Sequence, residues 1–289
     1  MPALTVIVLT KNEEQFIERC LRSVGWADEM LVLDSGSSDR TREIAASLGA
    51  NVYEQEWLGY SHQRNRATSL AKHDWVFFVE GDEIVTPELA RSIQEVMSGP
   101  MDERDGYSVD RRGDFLGLLL PNMSNAHKRR NFVRLFNRRY STYDPAMRVH
   151  EEVRFPGAAI PLRGVLIHWR AYTMDEYVTV FNRYATVEAE ILNEKGHRAN
   201  GYRIFLWPIL RFSWNYVARG GARLGTRGLI HAMLQATSEF VRYAKLWEMQ
   251  NAPRMLHPPA HIYRHTSTGS FATLQRAEEG ASTQHHSDR

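Results

Sequence analysis

The sequence predicts an α/β protein in which a doubly wound, mostly parallel sheet is followed by a C-terminal helical extension. Two observations predict this fold. Over about the first 80 residues, short apolar runs alternate with segments whose apolar residues recur at helical spacing, which is typical of βαβ units. After His168 the short apolar runs stop and only helical periodicity remains.

The first strand and helix have the clearest patterns. Leu4–Leu9 is a continuous apolar run rich in β-branched residues, as expected of a parallel strand that is covered on both faces. Asn12–Val24 has apolar residues at helical spacing and acidic residues in its first turn, which favour a helix. The elements predicted next are a strand at Met30–Leu33, a helix at Arg40–Leu48, and strands at Val52–Tyr53 and Trp75–Val79.

The second half of the chain changes character at His168. Residues 101–170 are mixed, with short strands predicted at Gly106–Val109 and Phe132–Phe136. Two amphipathic helices are predicted after His168, one with the apolar face Tyr177, Phe181, Tyr184, Ile191 and Leu192, the other with Leu229, Ile230, Met233, Leu234, Thr237, Phe240, Val241 and Ala244. Between them the longest apolar run, Ile204–Leu210, is far shorter than the roughly 20 residues that cross a bilayer.

Composition and charge exclude several classes of protein. The chain has 289 residues, 43% of them apolar, and a formal net charge of +2, which excludes disordered, collagen-like and polytopic membrane proteins. The charge is unevenly distributed. Residues 1–100 hold nine Lys and Arg against 16 Asp and Glu, whereas residues 196–256 hold nine against two. We therefore expect the two ends of the chain to face different partners.

The single cysteine and the two termini bear on the compartment. Cys20 has no second thiol with which to form an intramolecular disulfide, so the cytosol is the expected compartment. Met1–Thr10 is apolar but lacks a basic region, which favours a buried strand over a secretory signal. Residues 257–289 lose hydrophobic periodicity and are predicted to be a flexible polar tail.

Polar residues follow three of the predicted strands, in the segments Thr10–Glu14, Asp34–Asp39 and Glu80–Glu83. Ligands of open α/β sheets bind at the carboxyl ends of the strands, so these loops together predict a cradle for a nucleotide and a metal ion. The alternative is that they are ordinary turn and N-cap residues. No GxGxxG or P-loop motif is present, so we expect Mg²⁺ or Mn²⁺ held by carboxylates to receive the phosphates.

These motifs resemble those of the family 2 glycosyltransferases of the GT-A fold. The resemblance extends over about residues 3–250, and it rests on Thr5–Glu14, Leu31–Thr41, Phe77–Glu83 and Thr86–Leu89. Three further motifs resemble the branch of lipopolysaccharide core glucosyltransferases that act on inner-core heptose. They are Gln63–Asn65, Arg134–Arg138 and Val149–Glu151.

The resemblance implies which residues bind the donor. Thr10 and Glu13 are expected near the nucleoside, Asp34 is expected to hydrogen-bond the base, which would be uracil, and Arg64 is expected to contact the diphosphate.

The resemblance also implies a metal site. Glu80 stands where the family's Asp-x-Asp signature has its first Asp, and Asp82 keeps the second. The extra methylene of Glu80 moves its carboxylate by about 1.5 Å, which is large against Mg²⁺–oxygen distances of about 2.0–2.1 Å. The metal is therefore assigned to Asp82, with His168 as a second ligand. A core histidine bonded to the backbone is the alternative for His168.

A general base is expected to take the proton from the acceptor hydroxyl in a single displacement that inverts the anomeric centre. Glu151 is the first candidate and Asp114 the second. The alternative for Glu151 is a salt bridge with Arg148 or Arg154.

The family likeness and the periodicity together divide the chain into three parts. Residues 1–170 are the expected GT-A catalytic domain, with a nucleotide-sugar half at about 1–100 and an acceptor half at about 101–170. Residues 171–256 form a basic, aromatic helical extension, which is followed by the tail. The extension fits either an anionic membrane surface or packing on the catalytic core or on a second protomer of a homodimer. Nucleic acid is not an expected partner.

The sequence therefore predicts a cytoplasmic, metal-assisted, inverting glycosyltransferase, peripheral on the inner face of the membrane if the extension binds lipid. Its expected donor is a UDP-sugar such as UDP-glucose, and its expected acceptor is a bacterial surface glycan or glycolipid of the lipopolysaccharide core. Two alternatives stay open. A non-catalytic nucleotide-sugar or glycan-binding protein would explain Glu80, and a nucleotidyltransferase would share the sheet but would need a Gly-rich loop where Lys11–Glu13 stands.

Overall fold

The computed structural model describes residues 2–120, 132–145 and 152–252. Among these residues a nine-stranded sheet forms the centre of the molecule, in the order β3-β2-β1-β4-β8-β6-β11-β5, with β7 paired to β6 and a separate pair of β9 and β10. In chain order the strands are β1 (Leu4–Thr10), β2 (Glu29–Asp34), β3 (Asn51–Glu54), β4 (Trp75–Glu80), β5 (Glu83–Val85), β6 (Gly106–Phe115), β7 (Leu118–Leu119), β8 (Val133–Asn137), β9 (Thr142–Tyr143), β10 (Val153–Arg154) and β11 (Ala159–His168).

Helices connect the strands and form the C-terminal extension. In chain order they are α1 (Ile17–Val24), α2 (Thr41–Ser47), α3 (Tyr60–Leu70), α4 (Pro87–Ser98), α5 (Met174–Glu194), α6 (Gly201–Ser213) and α7 (Gly225–Asn251). A π-helix at Trp214–Ala218 and a 3₁₀ turn at Gly221–Leu224 join α6 to α7.

The first half of the sheet is parallel, as the sequence predicts. β1 pairs in parallel with both β2 and β4, and β2 pairs in parallel with β3. Both faces are covered because successive residues of each strand enter different apolar clusters: Val6 and Phe77 lie in one cluster, Ile7 and Phe78 in the other. The predicted strands at residues 4–9, 30–33, 52–53 and 75–79 are therefore confirmed. Each observed strand extends one residue beyond the prediction at one end or at both.

The first helix is shorter than predicted. It begins at Ile17 rather than near Asn12. Asn12 has a positive φ of 55°, and its side-chain oxygen accepts a hydrogen bond from the Ser38 N–H. The Glu13 N–H donates to Thr41 Oγ1. Residues 12–16 thus bind the neighbouring loop instead of continuing the helix.

The second half of the sheet is mixed. β8 pairs antiparallel with β4 and with β6, β11 runs parallel to β6, and the short β5 pairs antiparallel with β11. At the end of β11, His168 pairs with Glu83 of β5 on one side and with Gly113 of β6 on the other. This register brings the ends of β4, β6 and β11 to one edge of the sheet.

The C-terminal helices pack mainly on one another. The α5 and α7 helices pack together, and Ala189 of α5 lies in one apolar cluster with Tyr243 and Leu246 of α7. Gly228 at the start of α7 lies so close to the 3₁₀ turn that an added Cβ would stand 1.9 Å from the Gly221 carbonyl oxygen. In the parts of the chain that the structure describes, no helix is both long and apolar enough to cross a membrane.

One aromatic cluster joins the extension to the sheet. The buried ring of Phe115, the last residue of β6, lies 5.0 Å from Tyr177 of α5 and 5.2 Å from His231 of α7, measured between ring centroids. The Tyr177 hydroxyl also donates a hydrogen bond to the Asp114 carbonyl, at 2.7 Å. The extension is therefore anchored beside the carboxyl end of β6.

Candidate functional site

The predicted site residues that the structure describes lie at the carboxyl edge of the sheet. In the parallel registers Thr10 pairs with Asp34, and Leu9 pairs with Glu80. The loops after β1, β2 and β4 therefore lie side by side, as the strand order requires.

The two predicted metal ligands are neighbours. His168 Nε2 lies 2.9 Å from Asp82 Oδ2, and the Trp169 N–H donates to the Asp82 carbonyl at 3.0 Å. Burial alone would raise the pKa of Asp82, but the hydrogen bond and charge of His168, with the charge of Arg170, lower it. Asp82 is thus an ionised carboxylate in a buried position, which is what a cation site needs.

Arg170 is a site residue that the sequence analysis missed. Its guanidinium lies 2.6 Å from Asp82 Oδ2 and 2.9 Å from Glu13 Oε1, so it joins the loops after β1 and β4. Its position directly after a strand that ends at this edge is the only sequence signal that would have found it.

Glu13 and Thr10 lie against Gly81 at the carboxyl edge of the sheet. Burial raises the pKa of Glu13 to about 7, with the charge of Arg170 opposing the rise. A Cβ at Gly81 would lie 2.8 Å from Thr10 Oγ1 and 3.2 Å from Glu13 Cγ, so only glycine fits between them. Thr10 Oγ1 is buried and makes no hydrogen bond within the described part of the chain.

Asp34 is wholly buried and is held by its own loop. Its Oδ1 accepts hydrogen bonds from the N–H groups of Gly36 (3.0 Å) and Ser37 (2.7 Å), and its Oδ2 accepts one from the Ser37 hydroxyl. Such Asx-turn bonds fix the loop. The structure thus places Asp34 at the predicted edge with both carboxylate oxygens occupied by the loop.

Three arginines converge on Glu80. Arg64 and Arg134 approach its Oε1 at 3.0 and 3.1 Å, and Arg111 approaches its Oε2 at 3.3 Å. Arg111 also binds the fully buried Glu83. Burial opposes ionisation of Glu80, but the charges of Arg134, Arg64 and Arg111 hold its pKa well below the usual range. We call Glu80, Glu83 and these three arginines the arginine cluster.

The arginine cluster carries three positive and two negative formal charges. The Arg64 guanidinium packs beside the rings of Phe78 and Tyr143, with its carbon 5.6 and 5.5 Å from their centroids. These contacts fix the cluster at the end of β4. The extra methylene of Glu80 gives its carboxylate the reach to contact arginines from α3, β6 and β8, which the sequence analysis did not foresee.

Asp114 lies at the same edge of the sheet, near the end of β6. Its Oδ1 accepts hydrogen bonds from the N–H groups of Arg170 (2.9 Å) and Ala171 (3.3 Å). Its Oδ2 is buried and has no hydrogen-bond partner in the described residues. Asp114 therefore has one carboxylate oxygen that makes no hydrogen bond in the described residues, at a buried position.

The other predicted base, Glu151, lies outside the described residues, as do Arg148 and the tail at 257–289. Arg154, which the sequence analysis considered as its ion-pair partner, binds Asp144 at 2.5 Å.

Asp82 and His168 are two side chains at this edge of the sheet that could ligate a divalent cation. No group of three His, Cys, Asp or Glu side chains suited to a metal occurs in residues 2–120, 132–145 and 152–252. A carboxylate and an imidazole nevertheless suit Mn²⁺ or Mg²⁺ when phosphate oxygens and water complete the shell. The two residues fit a cation that binds together with a phosphorylated substrate.

The sequence of this chain is similar to that of one protein family. The model of the glycosyl transferase family 2 matches residues 5–151. The lipopolysaccharide core biosynthesis glycosyltransferase LpsC of Rhizobium meliloti is 31% identical over 253 residues, which cover 85% of this chain and 92% of that protein. An uncharacterized glycosyltransferase of Rickettsia typhi is 28% identical over 263 residues, covering 86% and 88% of the two chains.

Solved structures overlap with this chain only in part. TarS of S. aureus covers 88% of this chain and 56% of its own, at 15% identity and a TM-score of 0.42. The glucosyl-3-phosphoglycerate synthase of Mycobacterium tuberculosis, solved with Mn²⁺, UDP and glucosyl-3-phosphoglycerate, covers 39% of this chain and 44% of its own, at 23% identity and a TM-score of 0.34.

Proposed function

The chain belongs to the glycosyl transferase family 2 and is a glycosyltransferase, and on this premise we propose that it is an inverting, metal-assisted enzyme that uses a UDP-sugar. The proposed donor is UDP-glucose, and the proposed acceptor is a lipopolysaccharide core or a related bacterial surface glycan. The observation that carries the proposal is the meeting of Asp82, His168 and Asp114 at one end of the sheet.

Asp82 and His168 are the residues that would hold the divalent cation. When bound, such a cation offsets the negative charge that develops on the leaving nucleoside diphosphate. The contribution of the chain is to keep Asp82 ionised and oriented through Arg170 at 2.6 Å, with His168 Nε2 2.9 Å away as the second ligand. Because the site is largely buried, these charges act in a low-dielectric setting where they are strong.

The arginine cluster is proposed to give the diphosphate side of the cleft its positive charge. Glu80 orients Arg64, Arg111 and Arg134 without cancelling their total charge. A guanidinium held in this way is ready for bidentate contact with phosphate oxygens. Glu80 is thus proposed as a positioning residue for arginines rather than as a metal ligand.

Asp114 is proposed as the general base among the described residues. Its Oδ1 is fixed by two backbone N–H groups, which leaves Oδ2 for the proton of the acceptor hydroxyl. Attack from the face opposite the leaving group then inverts the anomeric centre. Glu151 stays a proposal for the same role.

The proposed nucleoside contacts are Thr10, Glu13 and Asp34. The unbonded Thr10 Oγ1 is one available group, and Glu13, with a pKa of about 7, can donate as well as accept a hydrogen bond near neutral pH. Asp34 would have to exchange an internal hydrogen bond to bind a base directly. Its proposed role therefore includes shaping the loop that receives the base.

The acceptor class is proposed from the relative in Rhizobium meliloti, whose name assigns it to lipopolysaccharide core biosynthesis. That synthesis requires a nucleotide-sugar pool, so a cytoplasmic site is proposed with it. Membership in a glycosyltransferase family does not support the two alternatives, a non-catalytic binding protein and a nucleotidyltransferase.

The proposal is tested by a donor screen followed by a transfer assay. A bound ligand at 100 times its dissociation constant stabilises a protein by about 2.7 kcal/mol, so the true donor raises the melting temperature in the presence of Mn²⁺. Transfer from that donor to a heptose-containing core oligosaccharide should then yield the inverted anomer and stop with EDTA. Stabilisation by a different nucleotide alone would overturn the UDP assignment, and full activity of Asp82→Ala in EDTA would overturn the metal role.

A further inference from the structure

A long segment of the C-terminal extension is basic without any acidic residue. Between Glu194 and Glu239 the chain has no Asp or Glu, and every residue there is described by the structure. The seven Lys and Arg residues of this segment are Lys195, Arg198, Arg203, Arg211, Arg219, Arg223 and Arg227. Arg211 is paired with Glu239 of α7, but a stretch of this length without any acidic residue is unusual in a protein with 34 of them, so we expect the segment to attract an anionic partner.

The same segment exposes large apolar side chains. Phe205 is 72% exposed, Val217 71% and Tyr202 66%. The exposed set on α6 and the following π-helix is Tyr202, Phe205, Trp207, Ile209, Leu210, Trp214 and Val217. Several follow helical spacing, at i, i+3 and i+7 from Tyr202 and at i, i+4 and i+7 from Leu210, so they form neighbouring stripes. A continuous exposed apolar surface of this kind marks a contact site.

The opposite side of α6 is already occupied by α7. Arg211 binds Glu239 of α7 through two hydrogen bonds of 3.1 and 2.9 Å, and Asn215 is buried. The exposed aromatics thus do not pack onto the catalytic core, which was one expectation for this extension.

We propose that α6 and the π-helix form a docking surface for an anionic phospholipid bilayer, with the helix lying in the membrane interface. Exposed Trp, Tyr and Phe insert at the headgroup boundary, while arginines of the same basic segment, among them Arg203, meet lipid phosphates. The 13 residues of α6 span about 20 Å, which suits a helix that lies along the surface. The positive charge of the segment favours an anionic membrane over a second copy of the chain. A two-fold contact through this face would bring two sets of positive charges together.

The docking surface is connected to the candidate site. The contacts of Phe115 with Tyr177 and His231 attach the extension at the end of β6, beside Asp114. A membrane bound by α6 would therefore have a fixed relationship to the cleft. Lipid binding itself is measured without donor or acceptor, so its outcome is independent of the proposed reaction.

Vesicle flotation of the full chain tests the proposal. We expect the protein to float with vesicles of phosphatidylcholine and phosphatidylglycerol at least tenfold better than with phosphatidylcholine alone, and to be released by salt. The triple variant Arg203→Gln, Arg223→Gln, Arg227→Gln should weaken anionic binding on the order of 100-fold. The double variant Phe205→Ser, Trp214→Ser should weaken it at least tenfold.

A matched control removes exposed aromatics elsewhere. Trp57 and Tyr140 are 51% and 43% exposed and lie outside the extension, so Trp57→Ser with Tyr140→Ser should leave flotation unchanged. Circular dichroism and a thermal melt establish that each variant is folded. The proposal is overturned if the wild type does not float with anionic vesicles or if both surface variants still float. It is also overturned if sedimentation shows a dimer that the Phe205→Ser, Trp214→Ser double variant dissociates.

Discussion

His168 Nε2 lies 2.9 Å from Asp82 Oδ2, although the two residues belong to different halves of the catalytic sheet. The β5–β11 ladder creates this contact, because it pairs His168 with Glu83, the residue next to Asp82. A short, three-residue strand thereby determines whether an imidazole and a carboxylate can act on the same ion.

The first prediction concerns that ion. Replacing His168 by Ala should weaken Mn²⁺ binding in the presence of UDP at least tenfold, because half of the protein's donor set is removed. Titration calorimetry or electron paramagnetic resonance measures this affinity without turnover. His73→Ala, a partly buried imidazole in the loop before β4, is the control and should bind Mn²⁺ as the wild type does. Equal affinity in His168→Ala would show that the imidazole is not a ligand.

The second prediction distinguishes the effect of the negative charge of Glu80 from the effect of its side-chain length. Glu80→Gln leaves three arginines without their shared carboxylate and should destabilise the fold by about 1–3 kcal/mol, because hydrogen bonds to charged groups are lost. Urea unfolding measures the change. Glu80→Asp keeps the charge but shortens the side chain, so it should lower donor affinity while costing less stability.

The control for Glu80 is an exposed ion pair. Glu18 and Arg22 have side chains that are 56% and 65% exposed, so Glu18→Gln should change stability by less than about 0.5 kcal/mol. If Glu80→Gln is as stable as Glu18→Gln, then the arginine cluster does not depend on Glu80.

The third prediction distinguishes the chemical role of Asp114 from its structural role. Asp114→Asn keeps an oxygen that can accept from the Arg170 and Ala171 N–H groups, but it removes the proton acceptor. It should therefore lower kcat about 100-fold or more, with KM and melting temperature little changed. Asp114→Ala should lower both kcat and stability. Normal turnover by Asp114→Asn would assign the base to another residue, with Glu151 the first to examine.

The fourth prediction concerns packing in the extension. Gly228→Ala places a methyl group against the Gly221 carbonyl, where 1.9 Å separates the added Cβ from oxygen, and should destabilise by about 1–3 kcal/mol or more. Gly201→Ala at the first position of α6 is the control, since nothing lies within 4 Å of its added Cβ. It should leave the melting temperature unchanged or raise it slightly. Similar melting temperatures for both variants would contradict the packing.

The fifth prediction is a pH dependence that originates away from the cleft. Burial lowers the pKa of His231, so the folded protein favours the neutral imidazole that packs on Phe115. The unfolded chain binds a proton at higher pH than the folded protein does, and stability is therefore lost as pH falls below about 6.5. Melting curves from pH 8 to pH 5 should show a smaller loss for His231→Gln than for the wild type. Parallel losses would exclude His231 as the cause.

The sequence predicts the parallel half of the sheet well because buried parallel strands are continuous apolar runs followed by polar loops. β1, β2 and β4 have this pattern, and it indicated the loop Glu80–Glu83, within which the family resemblance assigned the metal to Asp82. β5 and β11 were not predicted: three residues are too few for periodicity, and β11 includes exposed positions and Pro161. The His168–Asp82 contact follows from that unpredicted ladder.

Some site residues have no local signal at all. Arg170 follows a strand as a single arginine, and the raised pKa of Glu13 arises from burial against Gly81, which is a property of packing. The convergence on Glu80 requires arginines from three elements that are far apart in the chain. Motifs indicate which residues matter, whereas their partners depend on tertiary structure.

The ladder between β5, β11 and β6 also determines which segments of the chain can change in length and which cannot. His168 and Gly113, the neighbour of Asp114, are paired in this ladder, and β8 between β4 and β6 carries Arg134 of the arginine cluster, whereas Leu116 and Gly117 form a turn outside the ladder. Insertions in that turn can reshape the surface beside Asp114 while the spacing of Asp82, His168 and Asp114 stays constant. A lineage of such enzymes can therefore change the sugar chains it extends without rebuilding the machinery that breaks the donor bond.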